Sequence, residues 1–115
     1  MMDLSKIARV QGTFNVVSGI WPLVHMRSFE AVSGPKTDRW LVRTVAGLLV
    51  TIGVAQLRAA RDADTIGYAK LLGIGTAGTL AAIDLTYAAQ GRISRIYLVD
   101  AAVELLLIRN WLRNK

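Results

Sequence analysis

Ile96-Tyr97-Leu98-Val99-Asp100-Ala101-Ala102-Val103-Glu104-Leu105-Leu106-Leu107-Ile108 is an apolar run broken by two carboxylates. Asp100 and Glu104 are four residues apart, so on a helix they share one face. Two acids stacked on an apolar helix need a partner, a proton or a ligand. What surrounds that helix decides which of these they have.

Three further stretches resemble it in length and polarity. Val10 to Val24, Thr44 to Leu57 and Leu71 to Ile83 carry no charge. Extended to their flanking charges, the four stretches become residues 7–26, 40–60, 66–89 and 93–111. Each approaches the ~20 residues that cross a bilayer as a helix. The uncharged cores are shorter, so flanking Arg and Lys must reach outward to the interface. The chain has 115 residues, 53% hydrophobic and 19% charged, which suits one domain. The fold expected is all-α, with four transmembrane helices in an antiparallel bundle.

Composition narrows the partners. The net charge of +6 would suggest nucleic acid in a soluble protein. Here the basic residues sit at the ends of apolar stretches, where they meet anionic headgroups, so the partner is a lipid bilayer and not nucleic acid. There is no cysteine, which removes disulfides, thiol chemistry and Cys-ligated metals. Lys6 and Arg9 before the first apolar run resemble a signal peptide, but Trp21-Pro22 follows instead of a small-residue cleavage site. A retained first helix is expected.

Gly12 and Gly19, seven apart with Asn15 and Ser18 between them, form a small-residue packing stripe. Pro22 should kink or end the first helix. Arg27 to Arg39 reads as a solvated loop with a Gly34-Pro35 turn, or as a lid over a polar site. Thr37 or Asp38 can cap the second helix, and Asp64 or Thr65 the third. Gly47 and Gly53 should allow close packing of the second helix. The third is rich in Gly and Ala, with Gly75/Thr79 and Gly78/Ala82 as small-xxx-small pairs, and should pack centrally.

Short connections force the spans to alternate in direction. The side holding the termini then carries eight basic residues, from Lys6 to Lys115, and the other side six. That bias puts both termini in the cytoplasm of an inner-membrane, multi-pass protein. Trp21, Trp40, Tyr87 and Tyr97 fall at one interface, and Tyr68 and Trp111 at the other. Trp40-Leu41-Val42-Arg43 and Tyr97-Leu98-Val99-Asp100 share an aromatic-Leu-Val-charge pattern, a hint of two parallel hairpin repeats.

Matching depth places Arg43 level with Asp100. Asp84 and His25 lie toward the same side, and Glu104 one turn deeper than Asp100. An Arg43–Asp100 or Arg43–Asp84 pair would fix helix register. One Arg cannot neutralise three acids, so a proton, cation or water is needed. Glu104, deepest and most aliphatic in its surroundings, is the candidate to carry it. The candidate ligand- or proton-binding residues are therefore Glu104, Asp100, Asp84, Arg43, His25 and Glu30. No catalytic, cofactor or metal residues are assigned, since no ligands show metal spacing beyond the Asp100/Glu104 pair. Gly73-Ile74-Gly75-Thr76-Ala77-Gly78 matches a dinucleotide fingerprint in outline. The residues before it, Gly67 and Lys70 included, make a poor strand, and small residues in a membrane helix explain the glycines.

Trp21-Pro22-Leu23, Arg27-Ser28-Phe29-Glu30, Gly34 to Val42 and Tyr97 to Ala101 together resemble small bacterial four-helix integral membrane proteins of unassigned function. Size and helix count are also similar to the small multidrug-resistance transporters. Those carry an essential Glu in the first helix, and none stands there in this chain. The function expected is a non-enzymatic binding or interaction bundle, forming a homo-oligomer or a subunit of a membrane complex. The alternatives are a proton-coupled transporter of a small cationic or amphipathic solute, and a lipid-modifying enzyme using His25 with Glu30 or Glu104.

Overall fold

In the computed structural model, which describes residues 3–113, the chain forms five helices and no strand among those residues. They are α1 (Leu4–Val24), α2 (Met26–Ser33), α3 (Arg39–Ala59), α4 (Ile66–Ala89) and α5 (Ile96–Arg113). Asn114 and Lys115, part of the expected basic tail, lie outside the described residues. The long helices match the four apolar stretches, with shifted ends. Asp3 starts α1 early, its carboxylate accepting from the Lys6 backbone N–H at 2.8 Å. Pro22 lies inside α1 without ending it, and the helix stops at His25 (φ −144°).

The expected 27–39 loop instead contains α2. His25 is its cap, with Nδ1 accepting from the Ser28 backbone N–H at 3.2 Å. Asp38 and Thr65 occupy the cap positions of α3 and α4 but make no side-chain cap bond. The Thr65 hydroxyl donates instead to the Ala59 carbonyl at 3.0 Å, tying α4 to the end of α3.

The long helices pack as two antiparallel pairs, α1 with α3 and α4 with α5. Glycine makes the first pair close. A Cβ on Gly53 would stand 2.5 Å from the Gly12 carbonyl oxygen and 2.6 Å from Val16. Gly19 likewise lies against the Ala46 backbone. In the second pair α4 presents Ala69, Gly73, Ala77, Ala81, Asp84 and Ala88 inward. α1 also touches α4 and α5, whereas α3 and α5 do not touch each other. Thus α1 and α4 lie between them. Gly47, Gly75 and Gly78 do not serve these contacts, since an added Cβ would meet nothing within 4 Å at any of them. The fingerprint-like glycines 73–78 sit in mid-helix, with no strand-to-helix turn.

One buried hydrogen-bond cluster joins all four long helices. Gln11 of α1 donates from Nε2 to the Gly73 carbonyl at 3.0 Å. Its Oε1 accepts from Trp111 Nε1 at 2.7 Å and from Gln56 Nε2 at 2.9 Å. Asn15 Nδ2 donates to Gln56 Oε1 at 2.9 Å. Trp111, expected at an interface, is therefore fully buried. Its ring packs where only Gly73 leaves space on α4.

α3 and α4 are each long and apolar enough to cross a membrane. α1 and α5 give part of their length to the polar cluster and to charges, which lowers their hydropathy.

Two outcomes follow from this packing. Gly53→Ala should lower stability by about 1–3 kcal/mol through overpacking, whereas Gly75→Ala should be neutral or raise it by about 1 kcal/mol. Equilibrium unfolding of the two variants side by side reads the difference. Gln11→Leu should cost about 1–3 kcal/mol by stranding two buried donors, and adding Trp111→Phe should recover part of that loss in a double-mutant cycle.

Candidate functional site

One stripe of α5 runs Tyr97, Asp100, Ala101, Glu104, Leu107, Trp111 at three- and four-residue spacing, with Ala101, Glu104, Leu107 and Trp111 buried and Tyr97 and Asp100 half-buried. Trp111 anchors its lower end in the glutamine cluster. Seven residues away, about 10 Å along the axis, Glu104 is completely buried. No donor among the described residues reaches either of its carboxylate oxygens. Asp84 of α4 is 3% exposed, and its Oδ2 also lacks a donor. The Asp84 and Asp100 carboxyls lie within hydrogen-bonding reach of each other, and Glu104 is close enough to feel both charges. Three acids therefore gather between α4 and α5, walled by alanines.

Of the six candidate residues, this brings together Asp84, Asp100 and Glu104. Arg43 is elsewhere. It lies exposed on α3, which does not touch α5, so the expected Arg43–Asp100 pair is not made. Equal depth on parallel helices does not ensure facing surfaces. Nor does Arg43 reach Asp84, whose electrostatic neighbour is Asp100.

His25 is exposed and engaged in capping α2. Its Nδ1 lies 2.7 Å from the Ser28 hydroxyl, which accepts from Trp21 Nε1 at 2.8 Å. Glu30 belongs to a separate strap. Its Oε2 accepts from the Lys36 backbone N–H at 2.9 Å, and its Oε1 pairs with Arg39 Nε at 2.7 Å. The Lys36 N–H bond first, with Arg39 also contributing, holds the Glu30 carboxyl below the ordinary carboxylate range despite the opposing effect of burial. His25 and Glu30, one acid–base pairing envisaged for a lipid-modifying enzyme, thus each have other partners.

The strap also carries a cation that the sequence did not single out. Lys36 Nζ sits 4.7 Å above the centre of the Tyr97 ring and 6.0 Å from that of Phe29. It donates to the Ser33 carbonyl at 3.1 Å. Phe29 in turn meets Trp21 edge-on at 5.4 Å. The strap therefore closes over the upper end of the α5 stripe, one turn above Asp100.

Among the described residues no three His, Asp or Glu side chains are grouped so as to hold a metal ion. The arrangement offers enclosed carboxyl oxygens to a proton or to a donor-bearing occupant. No protein-family model, curated protein or solved structure matches the chain.

The strap is pH-sensitive in a defined direction. Because folding depresses the Glu30 pKa, its contribution is present above the unfolded carboxylate range and is lost as pH falls through the folded value. Amide exchange over residues 34–39 should accelerate on acidification through that window, and Glu30→Gln should remove the acid-dependent step while raising exchange at neutral pH.

Proposed function

We propose that this chain is a small inner-membrane protein spanning four times through α1, α3, α4 and α5. It binds a ligand or partner through its acid half and is not an enzyme. The observation that carries the membrane part is inverted burial. The largest fully enclosed side chains include Gln11, Gln56, Glu104 and Asn15 beside Trp111 and Ile7. Meanwhile Val17, Leu48, Leu71 and Leu106 are each more than half exposed. In water this would expose apolar surface while enclosing amides and acids. In a bilayer it is the favourable arrangement. The basic-residue bias puts both termini in the cytoplasm. Association with a second copy or another subunit belongs to the same proposal, supported by the open faces at Gly75 and Gly78.

What supports binding is the acid cluster itself. A buried carboxylate without a donor destabilises the bundle that contains it. Such a cost is retained where an occupant offsets it. The lack of donors to Glu104 also supports the second proposal, a proton-coupled transporter of a small cationic solute, with Glu104 exchanging proton for solute.

The chain lacks cysteine, so single labels report its sidedness. Ala31→Cys and Ala63→Cys should react with an impermeant maleimide from opposite faces of sealed vesicles; reaction from one face, or a soluble protein, sinks the spanning proposal. Glu104→Gln should fold with unchanged or greater stability, by up to about 3 kcal/mol. A marked loss of stability would instead make Glu104 a structural residue. In the transporter case the same substitution should abolish coupled flux in proteoliposomes.

A further inference from the structure

Every polar atom left without a partner in the triad is an acceptor: Asp84 Oδ2 and both oxygens of Glu104. No basic side chain of α1, α4 or α5 pairs with them. On α4 the buried neighbours of Asp84 along the same face are alanines. An occupant must therefore bring N–H or O–H donors, and an ammonium brings three of them. One group with those properties, the Lys36 ammonium, is placed by the chain itself at the upper end of the stripe. It rests on the Tyr97 face, within reach of Phe29, and donates to the Ser33 carbonyl. Two aromatic faces and a carbonyl are the groups that recognise an ammonium, because the ring faces attract the charge and the carbonyl takes an N–H. Asp100 follows Tyr97 by three residues, about 4.5 Å deeper on the same face, and Asp84 and Glu104 lie beyond it. Of the two acids on the strap, Glu30 is engaged with Arg39 and the Lys36 backbone, and Asp38 stands exposed at the N-cap of α3.

We infer that the site recognises an organic primary ammonium, and that Lys36 is a tethered occupant of the ammonium position which the ligand displaces. The proposal rests on the acid triad being a binding site. The ligand's head replaces Nζ between Tyr97, Phe29 and the Ser33 carbonyl, its short alkyl stem fills the space of the lysine side chain, and Asp100 lies about one turn below. Lys36 then acts as a competitor that lowers the apparent affinity by the fraction of time it occupies the position. It also closes the upper end of the stripe when no ligand is present.

Thermal unfolding of the full chain in nanodiscs, titrated with n-butylammonium, K⁺ or Mg²⁺, tests this. Butylammonium should stabilise the Lys36→Ala protein saturably, with an apparent affinity about tenfold tighter than for the unsubstituted chain. Adding Asp100→Asn or Tyr97→Leu to Lys36→Ala should weaken the response, and the metal cations should not reproduce it. If Lys36→Ala does not fold, Lys36→Gln serves in the same comparison. An equal response with and without Lys36, or one indifferent to Asp100 and Tyr97, overturns the inference. Stabilisation by K⁺ or Mg²⁺ that depends on Glu104, without one by butylammonium, overturns the ammonium assignment and keeps the triad as a binding site. No Glu104-dependent effect of any cation overturns both.

Discussion

The Gln11 side chain is the constraint on which the rest of the bundle depends. Its amide donates to the Gly73 carbonyl and accepts from both Trp111 and Gln56, so one residue of α1 is bonded to α4, α5 and α3. Hydrophobic association is non-directional and permits helices to slide or rotate. A buried amide does not, because each donor or acceptor left behind costs about 1–3 kcal/mol. The bond set therefore fixes rotation and axial position of all four long helices together. It also explains why Gly73 has no side chain, since Gln11 and Trp111 occupy the space a Cβ would need.

Register then carries upward. With Trp111 held against Gln11, the stripe on α5 must turn Glu104, Asp100 and Tyr97 inward, at successive turns of the helix. On α4, Asp84 lies eleven residues after Gly73, about 16 Å along the axis, and meets Asp100 there. The same constraint keeps α3 on the far side of α1 and α4. Arg43 consequently cannot neutralise the acids, whatever its depth. The isolation of the triad from basic side chains is thus a result of packing, set some three turns below it.

Much of the helix content is legible in the sequence because uncharged stretches and helix-ending turns are local signals. That Gly12 and Gly19 form one packing face is legible for the same reason, since a seven-residue spacing marks one face, whereas their partner α3 is not. Asp84, Asp100 and Glu104 stand out as charges inside apolar runs. What failed was azimuth. Arg43 and Asp100 share a position along their helices, but which way each points depends on a neighbour fixed by Gln11, and no local pattern encodes that. Gln11 and Gln56 were overlooked as ordinary polar residues, although amides within apolar stretches are themselves a signal. Trp111 was assigned to an interface because tryptophan often lies there, yet its N–H had a buried acceptor to satisfy. The α2 helix was hidden by its shortness and by a histidine cap, which is not among the usual capping residues.

The two polar centres of the bundle differ in how far their polar atoms are satisfied. The glutamine cluster pairs its amides with one another and with the Trp111 indole and the Gly73 carbonyl, and so needs nothing from outside. The acid triad leaves Asp84 Oδ2 and both Glu104 oxygens without a partner, so it needs a proton or an outside donor. Replacing all three acids with leucine would make a simpler helix pair, with no orphaned atoms. They stand at the end of the stripe that Lys36 closes, and not at the end that Gln11 ties down, so the bonds that fix the bundle do not depend on them.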